Sequence, residues 1–262
     1  MRARRHLSWL PNLLTLGSIF CGFSVLVVCM EGADRYAQRA GLLVLCAMIL
    51  DVLDGRVARL LRVESELGVQ LDSLADLVSF GVAPAVLAYR GSLSSFGLFG
   101  LVSCFAFVGA GALRLARFNV LALRTPKGEA GSPPRYALGL PIPSAAGMLV
   151  SFVLADASGL FGPHGQPLLA LGLLWGLSLL MVSTVKLRTF KDERPSLAVL
   201  LALVVLAAPA APLAFHYGLS AALLWFWLGY LVLASLETVR RVLWRMVLAP
   251  GRRQADGELP SQ

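Results

Sequence analysis

The sequence is poor in charge, and this scarcity excludes most classes of water-soluble protein. Charged residues make up 15% of the 262 residues, while hydrophobic residues make up 57% and the mean hydropathy is +0.75. Ordinary soluble domains carry about 25% charged residues. The composition therefore predicts an all-α integral membrane protein without a separate water-soluble domain.

Histidine and cysteine are also scarce, which argues against several kinds of site. The 3 histidines are scattered, so a histidine metal centre has little support. The 4 cysteines lie in or beside apolar runs without C-x-x-C spacing, which indicates buried thiols rather than a disulfide framework. No A-x-A-like cleavage site follows the basic residues 1–6, so we expect the first apolar run to be retained as a helix.

Two missing patterns bear on function. No strong internal repeat is present, which weakens an inverted-repeat transporter interpretation. The N-D-x-x-D motif that an intramembrane prenyltransferase would need is also missing. The net charge of +8 comes from short basic clusters between apolar runs, which favours topology signals and lipid or phosphate contacts over nucleic acid.

Long apolar runs fill most of the chain. A spanning helix needs about 20 apolar residues. With the N-terminus in the cytoplasm, only Arg35, Arg39 and Arg90 of the 23 Lys and Arg residues fall on the outer side, which predicts that both termini are cytoplasmic. The eight predicted spans of this helical bundle lie near 11–30, 38–61, 67–89, 95–121, 140–160, 166–186, 196–214 and 218–239.

Four aspartates interrupt these apolar spans. A carboxylate at membrane depth costs about 2.5–3.5 kcal/mol, so the group calls for a functional explanation. Asp51 and Asp54 are three residues apart, and Asp72 and Asp76 are four apart, which places each pair on one helix face. An antiparallel hairpin turning near residue 63 sets Asp54 opposite Asp72 and pairs Asp51 with Asp76 one tier deeper.

Such a carboxylate cluster predicts bound cations. Converging carboxylates repel each other unless a cation or a proton neutralises them. Hard divalent cations prefer oxygen ligands, so Mg²⁺ and Mn²⁺ are the main candidates and Ca²⁺ is a third. Two cations would clamp a phosphate group. Gly55 and Gly68, and in part Ala58, leave room on the helices for a bulky ligand.

The order D-x2-D-G-x2-A-R-x8-G-x3-D-x3-D runs without a gap from Asp51 to Asp76. At these residues the chain resembles the CDP-alcohol phosphotransferase family, membrane enzymes that build phospholipid headgroups. The resemblance implies a six-helix catalytic core within residues 1–186, added spans over 187–245, a polar cytoplasmic tail over 246–262 and a homodimer. It also implies that the metal ligands are Asp51, Asp54, Asp72 and Asp76.

The resemblance assigns further roles near the motif. Asp76 would be both a metal ligand and the general base. Pro11-Asn12-Leu13-Leu14-Thr15 resembles the family's nucleotide-contacting entry segment, although it also fits a plain helix start. The residues implied in the cytidine-diphosphate site are Gly55, Ala58, Arg59, Gly68, Asn12 and Thr15.

Segments after the motif indicate the acceptor. Residues 72–85, 111–119 and 139–143 resemble the phosphatidylserine synthase branch of the family, which implies CDP-diacylglycerol and L-serine as substrates. We expect Arg114, Arg117 and Asn119 to face the bundle interior, where a guanidinium would hold the serine carboxylate or the diphosphate. Arginines that snorkel to the membrane interface are the alternative.

Other functions stay open at this point. The same chemistry accommodates glycerol 3-phosphate, inositol or choline as the acceptor, and an archaeal-type lipid as the donor. A cation-coupled transporter that uses the acidic cluster as an ion pathway is an alternative of a different class.

Overall fold

The computed structural model describes residues 9–31, 36–61, 63, 65–124, 136–162, 166–183, 186–188, 214 and 218–232. Its elements in chain order are α1 (Leu10–Glu31), α2 (Tyr36–Leu61), α3 (Glu66–Asp76), a π-helical segment (Leu77–Val82, the π segment), α4 (Ala83–Gly91), a 3₁₀ turn (Leu93–Phe96), α5 (Leu98–Arg124), β1 (Tyr136–Leu138), α6 (Ile142–Ala157), α7 (Pro167–Val182), β2 (Lys186–Arg188) and α8 (Leu219–Val232).

The described elements confirm a helical membrane protein in outline. Three helical stretches are long and apolar enough to cross a bilayer, namely Leu10–Glu31, the continuous Glu66–Gly91 and Leu98–Leu121. Helices α6, α7 and α8 are shorter and apolar. The number of spans stays a prediction, because the predicted span 196–214 and the tail lie almost wholly outside the described residues.

Two short strands, which the sequence did not predict, pair beside the ends of α6 and α7. Strands β1 and β2 are antiparallel, with Ala137 opposite Leu187. Helix α7 ends at Val182, earlier than the predicted span end at residue 186, because Ser183 adopts an extended backbone with ψ of 152°. Gly139 allows the close approach of the two segments: its φ is +74°, and a side chain there would meet the Met181 carbonyl.

Helix α1 packs against both halves of the aspartate motif. It contacts α2 and also α3, the π segment and α4, whereas α2 and α3 make few direct backbone contacts. The predicted antiparallel hairpin brings Asp51 and Asp76 together, although the backbones of α2 and α3 stay apart. Helix α1 contacts both of them.

Small residues allow α1 to approach the π segment closely. A Cβ atom added at Gly22 would lie 2.8 Å from the Cα atom of Ser79. The Ser79 hydroxyl donates a 2.8 Å hydrogen bond to the backbone carbonyl of Ser18. Because Ser79 lies three residues after Asp76, this crossing fixes the part of the helix that carries the last aspartate of the motif.

Candidate active site

Three of the four aspartates meet where α2 faces α3. One carboxylate oxygen each from Asp51, Asp72 and Asp76 lies within 4.8 Å of the others, and all three residues are half-buried. Asp51 and Asp76 are close enough to share a hydrogen bond. Carboxylates at this distance cannot all be charged unless a cation lies between them.

The acidic group has the donor set of a site for a hard cation. The Oδ1 atom of Asp76 is buried and has no hydrogen-bond partner among the described residues. A buried oxygen without a partner is costly in a protein interior unless a ligand completes its coordination. Oxygen-only ligands fit Mg²⁺, Mn²⁺ or Ca²⁺ better than softer metals.

Asp54 has different surroundings from the other three aspartates. Within the described part of the chain it is not in the group that Asp72 forms with Asp51 and Asp76, and its predicted position opposite Asp72 stays a prediction. Asp54 is buried, and its Oδ2 accepts a 2.6 Å hydrogen bond from the Thr15 hydroxyl on α1. Thr15 therefore contacts the motif directly; its predicted contact with the nucleotide stays a prediction.

Gly55 leaves an open face on α2 beside the aspartates. A Cβ atom added there would meet nothing closer than the guanidinium of Arg59, at 3.9 Å. Arg59 is exposed and Ala58 is half-buried. This stretch of α2 therefore offers both space and a positive charge to an anionic ligand.

Gly68 brings α3 against the start of α1. A Cβ atom at Gly68 would lie 3.1 Å from the Ser65 hydroxyl and 3.3 Å from the Asn12 side-chain oxygen. Ser65 caps α3, because its hydroxyl accepts a 3.0 Å hydrogen bond from the Gly68 amide. The structure thus brings together two of the predicted nucleotide-contacting residues, Asn12 and Gly68.

The three polar residues predicted on α5 have separate partners. Arg114 is half-buried and interacts electrostatically with Asp76, and its Nε has no hydrogen-bond partner among the described residues. Arg117 donates a 3.0 Å hydrogen bond to the backbone carbonyl of Val182 at the end of α7. Asn119 donates a 3.0 Å hydrogen bond to Ser73, between Asp72 and Asp76. Of these three, Arg114 is the residue that the structure places beside an aspartate of the acidic group.

Two residues near the site were missed in the sequence. Ser73 accepts a hydrogen bond from Asn119. Its position between two motif aspartates is the signal in the sequence that could have identified it. Tyr230 on α8 interacts electrostatically with Arg114, although nothing in the pattern of residues 218–239 singles it out. Contacts between residues more than 100 positions apart leave no trace in local spacing.

Comparison with known proteins identifies the family of this chain. The sequence profile described as CDP-alcohol phosphatidyltransferase matches residues 8–182, which include all four aspartates. The curated relatives include a Helicobacter pylori (strain J99) protein named CDP-diacylglycerol–serine O-phosphatidyltransferase, which is 38% identical over 195 residues, 74% of this chain and 78% of the relative.

Two more relatives carry the same name. The Bacillus subtilis protein is 35% identical over 187 residues, which cover 71% of this chain and 94% of the relative. The Mycobacterium tuberculosis (strain H37Rv) protein is 34% identical over 224 residues, 81% of this chain and 74% of the relative. As the motif predicted, the chain belongs to the CDP-alcohol phosphatidyltransferase family.

Proposed function

We propose that this protein transfers the phosphatidyl group of CDP-diacylglycerol to the hydroxyl of L-serine and releases CMP. The observation that carries the proposal is the meeting of Asp51, Asp72 and Asp76 inside a sequence that matches the family throughout this region. The choice of serine is supported by the shared name of the relatives and by Arg114 beside the carboxylates.

The acidic group would hold divalent cations. Asp51, Asp72 and Asp76 are the proposed ligands, and Asp54, which Thr15 orients, is the proposed fourth. We propose two cations, Mg²⁺ or Mn²⁺, with Ca²⁺ as the remaining candidate. Cations bound there would neutralise the diphosphate and stabilise the charge of the departing CMP.

Asp76 is the proposed general base. Its buried Oδ1, which has no partner among the described residues, accepts the proton of the serine hydroxyl. The serine oxygen then forms a bond to the β-phosphorus, and the bond from that phosphorus to CMP breaks, so that CMP leaves with the electron pair. Most of the rate enhancement comes from positioning and charge neutralisation.

Different residues bind the nucleotide and the serine in this proposal. The cytidine diphosphate lies against the open face of Gly55, next to Ala58 and Arg59, and reaches Asn12, Thr15 and Gly68 at the α1–α3 contact. Arg114 holds the serine carboxylate with its planar pair of N–H donors. Arg117 and Asn119, whose described partners are Val182 and Ser73, support that part of the site.

The site opens toward the cytoplasm in this proposal. The basic residues concentrate on the side that receives both termini, which supports a cytoplasmic active site in the cell membrane. CDP-diacylglycerol reaches the site from the inner leaflet, and serine reaches it from the cytosol. The homodimer and the division into a core, added spans and a tail stay predictions.

An acceptor survey with the purified full chain in detergent tests this function. CMP release and the lipid product are measured with Mg²⁺ or Mn²⁺ and with serine, glycerol 3-phosphate, inositol or choline. We expect chelator-sensitive CMP release that requires serine and yields phosphatidylserine. CMP release that requires another acceptor would identify that acceptor as the substrate in place of serine. Ion uptake into sealed vesicles without any CMP formation would instead support a transporter.

A further inference from the structure

We propose that Tyr230 on α8 is a positioning residue that orients Arg114, so that α8 completes the serine-binding part of the active site. The inference rests on the proposed function and extends it to an element outside residues 8–182, the part that matches the family profile. It therefore gives a role to the predicted last span, for which the motif offers none.

Contacts at two levels fix how α8 lies on α6. Where α6 ends and α8 begins, the hydroxyl oxygens of Ser158 and Ser220 are 3.1 Å apart. Farther along, the indole of Trp227 fills the space beside Gly147, where any added Cβ atom would collide with the ring. The contact moves backward along α6 as it moves forward along α8, so the two helices are antiparallel.

This alignment carries Tyr230 to the level of Arg114. Tyr230 lies one turn beyond Trp227, about 4.5 Å farther along α8, and their rings pack edge to face with centroids 5.9 Å apart. That level is the first turn of α6, where Ile142 packs against Gly111 on α5. Arg114 lies one turn after Gly111, and the side chain of Tyr230 interacts with it electrostatically.

The position of the phenol matters because Arg114 has a competing neighbour. Its guanidinium interacts with Asp76, the proposed general base. If Arg114 formed a close ion pair with Asp76, the ion pair would block the base and would use the N–H donors that the substrate needs. In this proposal the phenol oxygen of Tyr230 accepts a hydrogen bond from one of the five N–H donors of Arg114, which favours an orientation in which the others point to the acceptor carboxylate.

Removing the phenol hydroxyl alone tests the inference. In Tyr230→Phe we expect the KM for serine to rise about 3- to 10-fold, the loss of one hydrogen bond. The KM for CDP-diacylglycerol and the melting temperature should stay at the wild-type values. Tyr89→Phe is the matched control, because Tyr89 lies 13 residues after Asp76, about 20 Å along the helix, and lines a cavity with Arg90.

The outcomes separate this inference from the proposed function. Wild-type protein without serine-dependent CMP release would refute the proposed function itself. An active wild type with an unchanged KM for serine in Tyr230→Phe would overturn the role of Tyr230. Equal losses for both substrates with a lowered melting temperature would also overturn it, because Tyr230 would then only support the fold.

Discussion

Asp54 and Asp76 belong to one motif but differ in what surrounds them. Asp54 is buried against the Thr15 hydroxyl, while Asp76 has a buried oxygen without a partner among the described residues. A carboxylate oxygen that already has a donor is held in one orientation, whereas an oxygen that lacks one is available to a cation or a proton. The same residue type can therefore orient the site at one position and react at another.

Asp76→Asn should abolish CMP release while the protein still folds and binds the nucleotide. The amide keeps the size of the side chain but cannot serve as a base and is a poorer cation ligand. Turnover and CDP-diacylglycerol binding are measured on the same preparation. Asp156→Asn is the control, since Asp156 accepts a hydrogen bond from Ser92 away from the acidic group. Preserved turnover in Asp76→Asn would refute the base assignment.

Gly55→Ala should separate folding from function. The added methyl group meets no atom closer than 3.9 Å, and alanine in a helix is more stable than glycine by about 0.5–1 kcal/mol. We therefore expect an unchanged or slightly higher melting temperature and a higher KM for CDP-diacylglycerol, because the methyl group occupies the proposed ligand face. Gly172→Ala, an exposed helical glycine with nothing within 4 Å, should raise stability without changing KM. Equal KM values for the two variants would contradict the ligand face.

At the scale of elements, the π segment joins the acidic group to α1. It begins directly after Asp76 and contains Ser79, which packs against Gly22. A π-helix has about one more residue per turn than an α-helix, which changes the side chains that face a neighbouring helix. π-helical segments occur often at functional sites. The packing of α1 against the π segment therefore helps to position Asp76.

Gly22→Ala should destabilise the protein and lower its activity. The new Cβ atom would lie 2.8 Å from the Cα atom of Ser79, so the helices must separate, at a cost of about 1–3 kcal/mol. Thermal unfolding in detergent and CMP release measure the two effects. Gly109→Ala is the matched helical control, because its Cβ atom meets nothing within 4 Å. If the two variants were equally stable, the crossing would not be a tight contact.

Local spacing predicted which aspartates share a helix face, but it could not predict how the elements pack. Helical periodicity put each pair of aspartates on one face, and three of the four side chains do meet. The contact of α1 with the motif joins Thr15 to Asp54, 39 positions away, and the pairing of β1 with β2 joins segments about 50 residues apart. Local spacing did not predict the π segment either, since its residues have the pattern of an ordinary apolar helix.

At the scale of the whole molecule, the described residues place several ionic side chains together in an apolar bundle. The core consists largely of alanine, leucine and other apolar side chains. Against it lie the acidic group, the buried Asp54 and Arg114. Burying these charges in a membrane protein is unfavourable, so their common location indicates that binding of an ionic substrate offsets the cost.

Helix α8 extends this arrangement beyond the segment that the family profile matches. Trp227 and Tyr230 pack against the buried core, and Tyr230 interacts with Arg114. The added part of the chain thus interacts with a residue of the proposed acceptor site, while α1 contacts Asp54. Elements from both ends of the described chain therefore interact with residues next to the acidic group.

Anomalous diffraction from crystals of the full chain grown with Mn²⁺ and CDP-diacylglycerol tests the central claim most directly. We expect manganese peaks at coordination distance, about 2.0–2.6 Å, from carboxylate oxygens of Asp51, Asp72 and Asp76, next to the diphosphate. A map with bound nucleotide but no manganese peak at these three side chains would contradict the assignment of the acidic group as a catalytic metal site.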